Sequence, residues 1–263
     1  MKDKRHLIFL ELLCILILLS GCSFFESGIK AYTSKYFDIE TLDSGKGKLI
    51  VHVNGNMEKT YNNTNPPWHQ LRGSKKIIEI EIESGPENIG YWAFYNFPCV
   101  TDIEIPTGVK EIREAGFTTC ESLETVVLPY SIEIIGSKAF EFDSNLKSIN
   151  LPDGLREIGN AAFAGCKHLE EITLPDSLED ISGNAFANCE NLKEIEIPAG
   201  IDTIRNGTFN GCTSLGKVTF PDSVRKIERN AFKGCSSLKS VSISSTAEVE
   251  DGAFPEGTEI EYR

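Results

Sequence analysis

The stretch LKSINLPDGLREIGNAAFAGCKH, residues 146–168, decides the fold because its pattern recurs in register along most of the chain. Phe94, Phe117, Phe140, Phe163, Phe186, Phe209 and Phe232 stand 23 residues apart. Pro106, Pro129, Pro152, Pro175, Pro198 and Pro221 keep the same interval, as do Ile89, Ile112, Ile135, Ile158, Ile181, Ile204 and Ile227. Written from its first apolar residue, the unit is L-x-x-I-x-L-P-x-x-L-x-x-I-G-x-x-A-F-x-x-C-x-x. Eight such units begin at Ile77, Val100, Leu123, Leu146, Leu169, Leu192, Leu215 and Leu238, the last one residue short before Phe254. A fixed period of this size marks an architecture in which each unit stacks on its neighbours.

Every column has a mechanical reason. The pairs Ile80/Ile82, Ile103/Ile105 and Val126/Leu128 alternate apolar with polar residues, as a half-buried strand requires. Stacked units then form a parallel sheet with strands about 4.8 Å apart, so eight rungs span roughly 38 Å. The proline cannot donate to the ladder and ends the strand. Leu155/Ile158 and Leu178/Ile181 form a second apolar pair that points inward from the opposite wall. Ala-Phe places a small residue where backbones pack closely and a large ring in the core. Glu259-Ile260-Glu261-Tyr262 alternates like one final rung.

These repeats resemble those of the bacterial leucine-rich repeat family with 23-residue units, the BspA-like surface proteins. The likeness runs from about Leu42 to Arg263. Leu42-Asp43-Ser44-Gly45, Lys48-Leu49-Ile50-Val51-His52-Val53 and Pro66-Pro67-Trp68 resemble the family's N-terminal cap. The resemblance implies a leucine-rich repeat right-handed solenoid, β-rich, with stacked parallel strands, short helical turns and a small N-terminal β cap. It also implies protein binding at the cell surface, often adhesion to host or neighbouring-cell proteins. Two departures stand out. The Asn or Cys usual after the strand is replaced by the proline turn. In the third unit Glu141-Phe142-Asp143 replaces the small-Gly-Cys run seen at Ala164-Gly165-Cys166, so that loop is expected to protrude or bend differently.

The N-terminus reads as an address. A basic-biased start, Met1 to His6, precedes an apolar run from Leu7 to Leu19 that is interrupted by Glu11 and too short for a comfortable membrane span. It ends in Leu19-Ser20-Gly21-Cys22, which resembles the lipobox of bacterial lipoproteins, and that resemblance makes Cys22 the lipidated first residue of the mature chain. The expected organisation is a lipoprotein signal peptide over 1–21, a lipidated Cys22 with a flexible tether over 22–47, a cap over 48–76, and the solenoid over 77–263. The expected location is the cell envelope, lipid-anchored, extracytoplasmic and surface-exposed.

The chain has 263 residues, 40% of them hydrophobic, and a net charge of −13. An acidic balance repels a polyphosphate backbone, so no nucleic-acid partner is expected. Cys120, Cys166, Cys189, Cys212 and Cys235 form a column at the repeat spacing, with Asp143 filling the gap. Stacked rungs hold such Cβ vectors parallel, farther apart than a disulfide prefers, and a line of thiols does not converge on a metal. They read as buried free thiols, with Cys99 a sixth. His52 and His69 lie in the cap and His168 between repeats, and no nucleophile elbow, phosphate loop, paired Cys-x-x-Cys or His-Glu-x-x-His occurs. No catalytic residue, metal or cofactor is assigned, and no enzyme activity is expected. Asn62-Asn63-Thr64 and Asn206-Gly207-Thr208 match a glycosylation sequon, which says nothing in a bacterial lipoprotein.

The outward strand positions carry the functional reading. Of sixteen, seven are acidic and one is basic: Glu79, Glu81, Asp102, Glu104, Glu171, Glu194 and Glu196 against Lys217. Like charges side by side in a sheet are unfavourable, which makes Glu79 beside Asp102 and Glu81 beside Glu104 costly. The bland reading is a solvated face of an acidic protein. The sharper one makes these seven residues a surface for extracellular or envelope proteins with basic patches, or a weak cation site, although carboxylates at this spacing without an Asp-rich Gly loop do not specify calcium. A structural envelope lipoprotein without an external partner is the alternative.

Overall fold

The computed structural model describes residues 32, 33, 35–57 and 65–263; the leader and Cys22 lie outside the described residues. The cap strands are β1 (Tyr32–Thr33), β2 (Phe37–Thr41) and β3 (Gly47–Val51). The first four units give β4 (Ile77–Ile82), β5 (Asn88–Ile89), β6 (Asp102–Glu104), β7 (Glu111–Ile112), β8 (Thr125–Val127), β9 (Ile134–Ile135), β10 (Ser148–Ile149) and β11 (Glu157–Ile158). From the fifth unit on follow β12 (Asp180–Ile181), β13 (Glu194–Glu196), β14 (Thr203–Ile204), β15 (Lys217–Thr219), β16 (Lys226–Ile227), β17 (Ser240–Ile243), β18 (Glu248–Val249) and β19 (Glu259–Tyr262).

Strands of the units pair in parallel with a register shift of one repeat, as in Asp102 with Thr125 and Glu157 with Asp180. The chain is a leucine-rich repeat solenoid with two β walls. The first wall carries the outward positions. It is interrupted between β4 and β6, where Glu79, Glu81, Asp102 and Glu104 would stand side by side, at the fifth unit, which contributes only the bridge Ser148–Glu171, and between β15 and β17.

The expected short helical turns are not helices: residues 77–263 contain none. Trp92, Phe94 and Asn96 donate their N–H groups to Glu114, Gly116 and Thr118 of the next rung, and Ala115, Phe117 and Thr119 repeat the pattern. Donors that point along the solenoid axis cannot close helical i→i−4 bonds. This third ladder needs left-handed residues at Trp92, Ala115, Lys138, Ala161 and Asn184, which also stops a helix from propagating.

The ring column fills the core. Phe94, Phe117, Phe140, Phe163, Phe186, Phe209, Phe232 and Phe254 stack face to face with centroids 5.0–5.5 Å apart. Trp68, fully buried, caps the column at 5.7 Å from Phe94, takes the edge of Phe37, and donates its Nε1–H to Ala93 O at 2.7 Å. The cap therefore reaches further back than the sequence reading placed it. Phe37 and Ile39, assigned to the tether, are buried, and their strand β2 runs antiparallel to β3, which joins β4.

The cysteines of the column are unbridged. Each Sγ–H donates at 3.1–3.2 Å to the carbonyl of a phenylalanine in the preceding unit, Cys166 to Phe140 and Cys189 to Phe163 among them. Burial pushes the thiols of Cys120, Cys166 and Cys189 up, which keeps them protonated. The third-unit loop does not bend as expected. Phe142 N–H donates to Ala164 and Asp143 N–H to Phe140, as Gly165 and Cys166 do one rung later. Only the Phe142 ring protrudes, lying over Gly165, where a Cβ would meet it at 2.7 Å.

Candidate binding face

The outward side chains of the first wall are held by strands whose alternate residues, Ile80, Ile103, Val126, Ile149, Ile172, Ile195 and Val218, are anchored in the core. All seven carboxylates singled out from the sequence are exposed on this face, in two groups. Glu79, Glu81, Asp102 and Glu104 lie at its N-terminal end; Glu171, Glu194 and Glu196 lie beyond the middle.

Their electrostatics differ. Lys48 of β3 forms an ion pair with Glu81, so the cap neutralises one charge of the first group. Asp102 accepts hydrogen bonds from the Thr101 and Thr125 hydroxyls, which hold its carboxyl below the usual range. Lys217 meets Glu194 at 3.1 Å. Glu79, Glu104, Glu171 and Glu196 form no ion pair with any described residue. Other cations are spent between rungs at the margin of the face, as in Lys147–Glu124 and Lys193–Glu170, both 2.6 Å. A shallow groove over the fifth to seventh units is lined by Thr173, Pro175, Glu194, Glu196, Lys217 and Thr219.

Sequence reasoning passed over two features of this face. Val127 is 58% exposed on β8 between the acidic groups, and Tyr130, after the proline turn of the same unit, is 81% exposed. The signal was present, since Val127 is the one apolar residue among the sixteen outward positions. His52 was the other omission. Its Nδ1 lies 2.8 Å from Glu83 and its Nε2 3.1 Å from Asp38, joining β2, the segment after β3 and the segment after β4 on this face. Away from the face, Tyr91 and Trp92 lie exposed with centroids 6.0 Å apart, and Arg113 stands over Tyr91 at 5.4 Å.

A parallel solenoid presenting a broad, exposed strand face defines a leucine-rich repeat protein. The chain belongs to the family described as BspA type leucine rich repeat region, whose model matches residues 69–153 and 133–261 in six copies. Among solved structures it is similar to the leucine rich repeat protein of T. pallidum, at 24% identity over 80% of this chain and 91% of that one, with a TM-score of 0.58. A leucine rich cell surface protein from Faecalibacterium prausnitzii A2-165 is 19% identical over 89% of this chain and 95% of that one, with a TM-score of 0.44. Among curated proteins none matched. No helix of the described residues is long and apolar enough to cross a membrane, and no three His, Cys, Asp or Glu among them are grouped to hold a metal.

Proposed function

We propose that the protein is a lipid-anchored, extracytoplasmic binding module that attaches to proteins of a host or a neighbouring cell through the first-wall face. The observation that carries this reading is the face itself. It combines four carboxylates that form no ion pair among the described residues, Glu79, Glu104, Glu171 and Glu196, with exposed Val127 and Tyr130 between the two groups. Exposed apolar side chains rimmed by charge are a usual composition for an interface. The excess negative charge selects a basic partner and speeds encounter at low salt. Leu19-Ser20-Gly21-Cys22 supports the anchor, because acyl chains on Cys22 would contribute about 0.8 kcal/mol per buried CH₂.

The test is capture from extracellular proteins by the full chain on its native cells, at low and high salt, followed by charge reversal at Glu79, Glu104, Glu171 and Glu196. Loss of the captured partner supports the reading; an unaffected complex refutes the face. Replacing Cys22 by Ala should release the protein from membranes, and unchanged fractionation refutes the anchor. Resistance of the chain to protease added to intact cells would favour a structural envelope role without an external partner.

A further inference from the structure

The third ladder has one gap. In the first five units and the seventh, the left-handed residue (Trp92, Ala115, Lys138, Ala161, Asn184 and Asn230) donates its N–H to a carbonyl of the next rung. In the sixth unit that position is Gly207, and its N–H donates to no described residue. The Arg229 carbonyl that it would reach accepts the Asn206 carboxamide instead, Nδ2 to O at 2.8 Å. Asn160 makes the same side-chain bond to Gly183 O, at 2.6 Å, but there the Ala161 N–H shares the carbonyl at 3.1 Å.

The gap falls on an Asn-Gly pair. In such a pair the nitrogen after the asparagine attacks the side-chain carbonyl most readily, because glycine has no Cβ to obstruct it and turns freely. The chain has three: Asn54-Gly55, Asn206-Gly207 and Asn210-Gly211. In two of them the attacking nitrogen is committed, since Gly55 N–H donates to Gly85 O at 2.8 Å and Gly211 N–H to Lys233 O at 2.7 Å. At Gly207 an uncommitted amide follows an exposed asparagine whose carboxamide occupies the hydrogen bond the amide has left. Glycine is required at this place, because φ is 68° and a Cβ would run into Asn184 Oδ1.

We propose that Asn206 is a site of spontaneous deamidation whose conversion opens the third ladder. The Gly207 nitrogen, giving up its proton to water or hydroxide, attacks Cγ of Asn206. The N–Cγ bond forms, the Cγ–Nδ2 bond breaks, and Nδ2 takes up a proton and leaves as ammonia, which gives a cyclic imide. Water then opens the ring. Cleavage of the N–Cγ bond leaves aspartate; cleavage of the bond to the backbone carbonyl leaves isoaspartate, with the chain running through Cγ. One water is consumed and one ammonia released, with no change of oxidation state. Either product removes the donor to Arg229 O and sets a carboxylate near Glu228, whose Oε2 accepts the Asn206 N–H at 2.8 Å. Isoaspartate also lengthens the backbone by one atom between β14 and the Phe209 ring. The Asn184 N–H, which donates to Asn206 O at 3.1 Å, is the first ladder bond to lose its acceptor.

The test is peptide mapping by mass spectrometry of the detergent-solubilised full chain, aged at mildly alkaline pH, with isoaspartate resolved from aspartate. In the folded chain Asn206 should convert several-fold faster than Asn54 and Asn210, with isoaspartate in excess over aspartate. In guanidinium the three rates should converge, because only the fold distinguishes the three glycine amides. Asn206→Gln, whose longer side chain would have to close a six-membered ring, should suppress conversion at that place and leave Asn54 and Asn210 as they were. Amide exchange at Asn184 should quicken as isoaspartate accumulates and stay constant on ageing of the Asn206→Gln chain. Equal rates at the three pairs in the folded chain, an Asn206 that converts only after unfolding, or aspartate formed without isoaspartate overturns the site. Asn184 exchange that is indifferent to conversion overturns the opening of the ladder.

Discussion

The Cys120 amide donates to Asp143 Oδ1 at 2.7 Å, while Oδ2 of the same fully buried carboxyl has no hydrogen-bond partner among the described residues. In the following units the Cys166, Cys189, Cys212 and Cys235 amides donate to the phenylalanine three residues back. Here the Phe117 carbonyl receives neither the Cys120 amide nor a thiol from the position Asp143 occupies. In other units the corresponding carbonyl accepts a thiol, as Phe140 and Phe163 do, so a proton on Asp143 would supply the matching donor here. Burial pushes the Asp143 carboxyl well above the usual range, and the Cys120 amide only partly offsets this. A carboxyl with a raised folded pKa stabilises the fold fully below its unfolded pKa, and that contribution is lost as pH rises through the folded one. Urea midpoints should therefore fall as pH rises above the ordinary aspartate range. Asp143→Cys should flatten the curve and stabilise the chain at alkaline pH by about 1–3 kcal/mol, the usual penalty of a buried unsatisfied group. A variant with the same pH dependence as the parent would sink this assignment.

Close approach of rungs makes some glycines indispensable and others free. A Cβ at Gly159 would meet Ser137 N at 2.5 Å and Gly136 C at 2.6 Å, both backbone of the preceding unit. A Cβ at Gly154 meets nothing nearer than Tyr130 O at 3.5 Å. Gly159→Ala should cost about 1–3 kcal/mol in chemical denaturation, as overpacking does. Gly154→Ala should stay within about 0.5 kcal/mol. Equal midpoints for the two variants would contradict the rung spacing described above.

What the sequence revealed and what it hid follow from how far each feature reaches. The phenylalanine, proline and isoleucine columns were legible because every unit meets the same neighbours, so one physical demand is written at one position many times. The cap strand Phe37–Thr41 was missed because its alternation is written once, over five residues. The third ladder was invisible because it uses backbone N–H groups and tolerates Trp92, Ala115 or Asn184 at the same left-handed position. On the candidate face the carboxylates could be placed but not paired. Lys48 reaches Glu81, and His52 reaches Glu83, only because the cap docks beside β4, and no periodicity encodes that contact.

Trp68 is where the cap meets the ring column. Trp68→Ala removes the stack on Phe94 and opens a large cavity, and should cost about 3–5 kcal/mol. Trp68→Phe keeps a ring but leaves the Ala93 carbonyl without its donor, for about 1 kcal/mol. The two tryptophans give the readout, since Trp68 is buried and Trp92 is 47% exposed. The Trp68→Phe chain should keep only the red-shifted emission of a wet indole. A variant that retains a blue-shifted component would mean that Trp92 is covered by something else.

His52 should make the docking of the cap depend on pH near neutrality. Its hydrogen bond to Glu83 and, more weakly, that to Asp38 raise the imidazole above 6.5 despite partial burial. A base whose folded pKa is raised contributes stability fully below its unfolded pKa and loses it as pH rises through the folded one. The window therefore opens just above 6.5, opposite in origin to an acid-labile carboxylate but in the same direction as Asp143. The two are separable because Asp143→Cys leaves the His52 window intact. Amide exchange in β2 should quicken as the imidazole loses its proton, with the ring nitrogens followed by NMR. In His52→Gln that pH dependence should vanish while exchange in the distant β15 and β16 is unchanged. Acceleration spread evenly over the whole solenoid would show that the imidazole does not act locally on the cap.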